Sequence, residues 1–298
     1  NNNAKIALID DMKNAYHITQ PIITKTDKED YKTVFSDSIM LNVSRGCTRG
    51  CRFCMSSYLY RPLRETTIKE LVDIALKTRE NTNLNKITLI GAAVGDYYDL
   101  EGLTTALESE GFQIATPSLR IDSLSRETLE TLKKSGLKSI TIAPESISTL
   151  RERINKSISD EKIFSVIKNA VDLDFNIKLY FLIGIPYESK EDIEELANYI
   201  EKIANMHKNR KYIKFSINPV IPKPQTPLQW EVYNFKEIKS KTRYLKKKLR
   251  KYNVKFESPK KGLIQYILSC GNREVGAVIE KSLTEEVTLK EWQSYLPN

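Results

Sequence analysis

Short apolar segments alternate with longer amphipathic segments along most of the chain. Six of the apolar segments are rich in β-branched residues and predict strands, at residues 39–43, 86–91, 112–116, 138–143, 176–184 and 212–220. Their nearly continuous apolar character is typical of strands that are covered on both faces. The alternation therefore predicts a repeated βα unit with a parallel sheet.

The segments between these strands carry the signals of helix ends. The helix expected at 125–136 begins with Ser125 as its N-cap and ends in a glycine. Two more helices, expected at 159–174 and 189–206, begin with serine and early acidic residues, which a helix N-terminus favours. Residues 64–80 predict a further helix between the first two strands.

Six βα units are too few for a closed eight-unit barrel, which takes about 250 residues. Four prolines between residues 219 and 230 end the repeat. The prediction is an α/β fold, a partial TIM-like (βα)6 barrel with a C-terminal helical extension. The expected domains are a lead-in linker at 1–38, the barrel at 39–225 and the extension, packed on the barrel, at 226–298.

Composition narrows the class of protein. Hydrophobic residues make up 40% of the 298 positions and charged residues 29%, which is typical of a soluble globular chain. No stretch approaches the roughly 18 consecutive apolar residues of a membrane span. The first residues carry no secretion signal, so a cytoplasmic location is expected. The start at Asn1 hints that an upstream segment has been removed.

The net charge of +9 raises the alternative of a nucleic-acid binding module. Basic residues concentrate at 236–256, where Ile238, Leu245, Leu249 and Tyr252 recur at helical spacing. We therefore expect the lysines to form the solvated face of an amphipathic helix. A nucleic-acid partner is not excluded, but charge alone does not establish one.

Three of the four cysteines, Cys47, Cys51 and Cys54, lie within eight residues and follow the first predicted strand. Barrel folds place their chemistry on loops at the carboxyl ends of strands. Gly46 and Gly50 allow the tight backbone path that this spacing requires. The loop therefore predicts a site where thiolates surround one small metal centre.

Two metal centres fit three clustered cysteines. A structural zinc ion needs four ligands, and the other candidates, Cys270, His17 and His207, are all remote in the sequence. A [4Fe–4S] cluster held by three cysteines leaves one iron open for a small molecule. The cluster is the favoured interpretation, and Cys270 is expected to be a small core residue.

Phe53, which precedes the last cysteine, completes a motif that resembles that of the radical S-adenosylmethionine (SAM) superfamily. The resemblance extends over residues 40–230 to a branch that usually carries an N-terminal cobalamin-binding domain. It rests, in chain order, on the segments SRGCTRGCRFC, YLYRPLRE, SLRIDSLS, IAPESISTLRERINKSIS, KLYFLIGIPYESKEDIEEL and VIPKPQTPLQW. Residues 269–282 are similar to the C-terminal extension of that branch.

This resemblance implies a cofactor set and a reaction. The open iron of the cluster would bind the amino and carboxylate groups of SAM. With electrons from a reducing donor, SAM would be cleaved to methionine and a 5′-deoxyadenosyl radical. Methyl transfer to an unactivated carbon with cobalamin is the implied function. The alternative is hydrogen abstraction without cobalamin, for sulfur insertion, rearrangement or dehydrogenation, and the substrate is unknown.

Two features depart from that branch. The chain has no D-x-H-x-x-G motif for cobalt and no room for a cobalamin domain. Its lead-in resembles the linker that follows such a domain, so cobalamin would be bound by a segment absent from this chain. The turn after the second strand reads GAAVGDYYDL where many members have Gly-Gly-Glu. Asp96, or a carboxylate elsewhere, would then accept from the SAM ammonium.

The other candidate residues for SAM binding lie at or just after strand ends. Gly91 and Ala92 would let the backbone approach the methionyl group, or would simply form a tight turn. Arg120, Asp122 and Ser123 offer an ion pair to the SAM carboxylate and hydrogen bonds to the ribose. All five lie at or just after the end of the second or third predicted strand.

Glu145 and Ser146 follow the fourth predicted strand and are expected to bind the ribose hydroxyls or the SAM ammonium. Arg153 and Arg151 are candidates for carboxylate recognition, with an exposed helix surface as the alternative. The adenine is expected against the fifth and sixth strands, at Tyr180, Leu182, Gly184, Val220 and Ile221. The last two also fit a prolyl turn without a ligand.

Overall fold

The computed structural model describes residues 8–21, 37–116 and 118–297. Most of the linker predicted at 1–38 therefore lies outside the described residues. The strands are β1 (Ile39–Asn42), β2 (Ser44–Arg45), β3 (Arg64–Glu65), β4 (Lys86–Ile90), β5 (Gln113–Ala115), β6 (Ser139–Glu145), β7 (Asn176–Ile183), β8 (Ile213–Pro219) and β9 (Val254–Phe256).

Helices follow most of the strands. They are α1 (Ser56–Leu59), α2 (Ile68–Thr82), α3 (Leu100–Ser109), α4 (Arg126–Lys134), α5 (Ser148–Arg153), α6 (Asp160–Asp172), α7 (Lys190–Ala204), α8 (Phe235–Lys248), α9 (Pro259–Cys270), α10 (Val275–Lys281) and α11 (Leu289–Gln293). No helix in the described part of the chain is both long enough and apolar enough to cross a membrane.

Parallel pairing organises the strands into an open, barrel-like arrangement. One large sheet has the order β1-β4-β5 and the other the order β6-β7-β8-β9, and every pair in both is parallel. β2 and β3 form a separate antiparallel pair. A parallel bridge between Leu119 and Ile142 joins the two sheets. There the amide of Leu119 donates to the carbonyl of Thr141 at 2.9 Å. Among the described residues β9 does not pair with β1, so the barrel stays open.

The six predicted strands and the α/β class are confirmed, and three short strands, β2, β3 and β9, were not predicted. β9 is a seventh parallel strand inside the segment that was predicted to be helical. Three residues are too few to show a strand's alternation, so the pattern could not reveal it. The helix predicted at 64–80 begins instead at Ile68, because Thr67 and Glu70 form a capping box and β3 precedes them.

Only one face of β7 is packed in the core, which corrects the expectation that the strands are covered on both faces. Ile177, Leu179 and Phe181 face the helices and are at most 1% exposed. The alternate residues, Lys178 and Tyr180 among them, are exposed or half-buried on the opposite face. That face lines the interior of the open barrel.

The basic segment forms α8 as predicted, although its last part becomes β9. Ile238, Leu245, Leu249 and Tyr252 are buried, while most of the lysines are exposed. The solvated-face interpretation is therefore confirmed for most of the positive charge. The exception is Lys241, which is 8% exposed.

Candidate active site

The three clustered cysteines lie on the loop between β2 and α1. Cys47 and Cys51 are each 7% exposed, Cys54 is half-buried, and all three are free thiols. The hydroxyl of Ser57 donates to the Cys47 sulfur at 3.8 Å. The two-residue strand β2 separates this loop from β1, so the loop does not follow the first strand directly as predicted.

Glycines shape this loop, as the sequence predicted. Gly46 has a φ of +91° and Gly50 a φ of +70°, in the left-handed region that glycine tolerates best. A Cβ atom on Gly46 would overlap the backbone carbonyl groups of Tyr60 and Pro62. The loop can therefore close against the following segment only with glycine at position 46.

A second segment, just after α5, holds the cysteine loop from the other side. The side-chain amide of Asn155 donates to the carbonyl groups of Arg49, at 3.2 Å, and Gly50, at 2.9 Å. The backbone amide of Arg52 donates to the carbonyl of Ile154 at 2.9 Å. Asn155 was not predicted. Its left-handed φ of +54° after a helix is a signal for asparagine, but that signal does not reveal the long-range contact.

Glu145 lies at the carboxyl end of β6, where the sequence predicted a ligand-binding carboxylate. Its Oε1 atom accepts from the Nζ atom of Lys156 at 2.6 Å, and both residues are less than 10% exposed. Lys156 was missed because nothing local in its sequence marks it as the partner of Glu145. Burial raises the pKa of the Cys51 thiol, and the charges of Lys156 and Arg120 act against this increase.

Four charged residues form a network beside the cysteine loop: Arg49, Asp96, Arg120 and Asp122. Arg49 binds both carboxylate oxygens of Asp96, at 2.8 and 2.6 Å. The Nη1 atom of Arg49 also lies 3.1 Å from the Oδ2 atom of Asp122. Arg120 binds Asp122 through two hydrogen bonds of 2.9 and 3.0 Å and lies 3.5 Å from Asp96.

The network brings together three predicted residues and one, Arg49, that was missed. Burial works to raise the pKa of Asp122, but Arg120 and Arg49 outweigh it and hold that pKa below its usual value. Asp122 therefore stays ionised in this site. Ser123 closes the adjoining turn, because its hydroxyl donates to the carbonyl of Arg120 at 3.2 Å.

Two buried hydroxyls near the strand ends have no hydrogen-bond partner within the described residues. They are the Oγ atoms of Ser44 and of Ser146, the latter a predicted site residue. A buried polar group without a partner is costly unless water or a ligand completes it. Gly91 lies beside Ser44, since a Cβ atom on Gly91 would come within 2.7 Å of the Ser44 hydroxyl, and Ala92 is exposed.

The two arginines on α5 have structural contacts. Arg151 is fully buried and donates to the carbonyl groups of Ile158, at 2.9 Å, and Ser146, at 2.5 Å. An exposed surface position, the alternative offered for Arg151, is therefore wrong. Arg153 is exposed, and its guanidinium donates to the carbonyl of Tyr187 at 2.7 Å.

Of the residues predicted to contact adenine, some line the barrel interior and others are packed in the protein. Tyr180 and Leu182 lie on the interior face of β7, and Tyr180 shares a cavity with Ile221. Val220 is buried. Gly184 has a φ of +79°, and a Cβ atom there would overlap the side chain of Ile238, so its glycine is required by the approach of α8.

The remaining candidate residues pack against the core or contact backbone groups. Phe53 packs against the core from its half-buried position. Cys270 is half-buried in α9 and its thiol donates to the carbonyl of Pro222 at 3.4 Å, consistent with a packing role. His17 contacts the carbonyl of Met12, and His207 accepts from the amide of Asn209 at 2.9 Å.

The donor set fits an iron–sulfur cluster better than a single ion. Among the described residues, no three His, Cys, Asp or Glu side chains converge on one point where a metal ion could bind. A four-iron cluster does not need its ligands to converge on one point, because each cysteine ligates a different iron. Three free thiols on a constrained loop fit such a cluster.

Comparison with known proteins establishes the family. The radical SAM superfamily model matches residues 41–200, which is more than half of the chain. The chain therefore belongs to the radical SAM superfamily of enzymes, and the resemblance to that superfamily is confirmed. Membership implies a [4Fe–4S] cluster and SAM as cofactors.

Similar proteins include one of unknown function and two methyltransferases. An uncharacterised protein of Methanocaldococcus jannaschii is 35% identical, with 88% of this chain and 58% of that protein covered. Cytidylyl-2-hydroxyethylphosphonate methyltransferase of Streptomyces wedmorensis is 28% identical over 57% of this chain and 34% of its own length. The solved radical SAM methyltransferase TsrM of Kitasatospora setae has a TM-score of 0.54 at 11% identity, with 65% of this chain and 36% of that chain covered. That likeness is one of fold.

Proposed function

We propose that this chain binds a [4Fe–4S] cluster through Cys47, Cys51 and Cys54 and cleaves SAM reductively for methyl transfer to an unactivated carbon, with cobalamin as methyl carrier. The cluster would supply one electron to the sulfonium of SAM, giving methionine and a 5′-deoxyadenosyl radical. The observation that carries the proposal is the convergence of charged groups around the constrained cysteine loop.

These charged groups suit the two ends of a zwitterion. Asp96 and Glu145 would accept hydrogen bonds from the methionyl ammonium, and Arg120 would pair with the methionyl carboxylate. Each of these groups also binds an opposite charge of the protein, and carboxylate and guanidinium groups can make several hydrogen bonds at once, so SAM would join these ion pairs rather than replace them. Lys156 would then keep its partner, which avoids a buried charge without one.

The residues around the loop would position the cofactors. Asn155 and Gly46 hold the backbone path of the loop. The hydroxyl of Ser146, which has no partner among the described residues, would bind the ribose. Burial of Cys47 and Cys51 limits access of water, which favours the strongly reducing potential that SAM cleavage requires.

Methyl transfer is supported by sequence similarity, and the use of cobalamin by a likeness of fold. The S. wedmorensis relative is a methyltransferase, and TsrM has been solved with cobalamin bound. The chain spans 58% of the M. jannaschii relative and 34% of the methyltransferase. Cobalamin would be bound by a segment outside this chain.

Formation of 5′-deoxyadenosine tests the radical chemistry. Protein purified without oxygen is loaded with iron and sulfide, reduced, and given SAM. The wild type should hold about four irons per chain and form 5′-deoxyadenosine. Cys54→Ala should lose both, while Cys270→Ala, which removes the other half-buried cysteine, should keep both. Equal product from both variants would contradict the ligand assignment.

Cobalamin binding separates the two radical functions. The full-length gene product is incubated with cobalamin, and the bound cofactor is measured by its visible absorbance after gel filtration. Stoichiometric binding supports methyl transfer. Absence of cobalamin binding, with 5′-deoxyadenosine still formed, would instead favour hydrogen abstraction without a methyl carrier.

A further inference from the structure

The interior face of the four-stranded sheet carries positive charge at positions where a packed barrel would carry apolar side chains. Lys178 of β7 is exposed and faces away from the helices. The sheet register places Lys214 of β8 directly beside it. Lys255 of β9 lies beside Ser216, two residues further along β8 than Lys214. Three adjacent strands thus each contribute a lysine to one interior face.

This arrangement is unfavourable without a counter-ion. Neighbouring strands lie about 4.8 Å apart, and like charges on directly paired positions destabilise a sheet. Elsewhere in the protein, lysines such as Lys156 and Lys241 pair with carboxylates. Within the described part of the chain, no salt bridge involves any of the three interior lysines.

Lys178 and Lys255 line a cavity of about 360 Å³. This volume lies in the range of small-molecule sites, about 300–1,000 Å³. Its other polar lining residues include Tyr180, Ser216, Asn218 and Gln265, whose side chains can all donate hydrogen bonds. One carboxylate, that of Glu257, also reaches the cavity and would accept from a donor group of a ligand.

We propose that this cavity binds the anionic end of the substrate, a small molecule that carries a phosphate or a comparable multiply charged group. Lys178 is the third residue of β7, so the anion would lie deep in the barrel, towards the amino ends of the strands. The cysteine loop follows β2, beyond the carboxyl end of β1, and the uncharged part of the substrate would point towards it. The inference rests on the proposed function, because a radical formed at the loop needs a substrate in the barrel interior.

Binding of a simple phosphate ester tests this inference. The cluster-loaded protein is titrated anaerobically with glycerol 3-phosphate at constant ionic strength, and the dissociation constant is measured by calorimetry. Lys178→Gln and Lys255→Gln should each weaken binding about tenfold. Lys247→Gln, which removes one exposed lysine from α8, should change it less than twofold. Glycerol should not bind, and glycerate, with a single charge, should bind more weakly.

Equal weakening by Lys247→Gln would overturn the inference, because the anion would then respond only to net charge. Absence of saturable binding to the wild type would overturn it as well. Formation of 5′-deoxyadenosine is measured in the same wild-type preparation. If that product forms while the phosphate ester does not bind, the cavity assignment fails and the proposed function stands. If the ester binds in the cavity but the product is absent, the proposed function fails.

Discussion

Gly46 and Gly136 have nearly the same left-handed backbone, with φ values of +91° and +92°, but different surroundings. A Cβ atom at Gly136 would meet no atom within 4 Å, whereas at Gly46 it would overlap two carbonyl groups. Gly136→Ala should therefore cost only the backbone strain, about 1 kcal/mol of the free energy of unfolding. Gly46→Ala should displace the cysteine loop and lose most of the bound iron.

The two alanine variants are compared by iron content after identical reconstitution and by urea unfolding. Gly136→Ala should keep the iron content of the wild type. Equal iron retention in Gly46→Ala would mean that the loop does not need its observed path to bind a cluster.

Residues of the candidate site differ in how well the sequence predicts them. The cysteines and Asp96 could be predicted because a motif or a strand end marks them. Lys156 and Asn155 could not, because each acts through a contact with a residue distant in the chain. Arg151 was placed on the helix surface as an alternative, but the side chain is buried because three polar groups surround its guanidinium.

Whole elements were predicted where their signals are local. Ser125, Ser159 and Ser189 all cap helices as expected, since each hydroxyl accepts from an amide of the first turn. β9 was missed because its membership in the sheet depends on pairing with β8. The open interior face of β7 was likewise hidden, because alternating burial depends on which helices cover the strand.

At the scale of elements, a buried ion pair attaches α8 to the loop after β7. The Nζ atom of Lys241 lies 2.8 Å from the Oε1 atom of Glu188 and 2.5 Å from the Oε1 atom of Glu237. Burial works to lower the pKa of Lys241, but the two carboxylates outweigh it and the pKa is raised. A raised pKa in the folded state means that this stabilisation is complete below the unfolded value of about 10.5 and is lost as the pH rises through the folded value.

Unfolding of wild type and Lys241→Met between pH 9 and about pH 12 tests this linkage. The difference in their free energies of unfolding should be constant at the lower pH and should shrink above about pH 10.5, the ordinary lysine value. Lys247→Met, at an exposed position of the same helix, serves as the control. A Lys241→Met difference that stays constant throughout would contradict a role for the ammonium charge.

At the scale of the whole molecule, the charge network connects segments that are remote in the sequence. Arg49 lies on the cysteine loop, Asp96 follows β4, and Arg120 and Asp122 follow β5 next to the bridge between the two sheets. The network therefore couples the cysteine loop to the junction of the sheets. A change at Asp96 should therefore alter the cysteine loop, although the two are about forty residues apart in the sequence.

Asp96→Asn should loosen the cysteine loop, because it removes the charge that both oxygens present to Arg49. Since Arg49 is 39% exposed, we expect a loss of only about 1 kcal/mol, which makes hydrogen exchange at residues 44–54 about fivefold faster. Asp73→Asn, which breaks the exposed Lys69–Asp73 pair, is the control and should leave that exchange unchanged. Exchange is followed by mass spectrometry on cluster-loaded protein, and equal rates in the two variants would show that the network does not hold the loop.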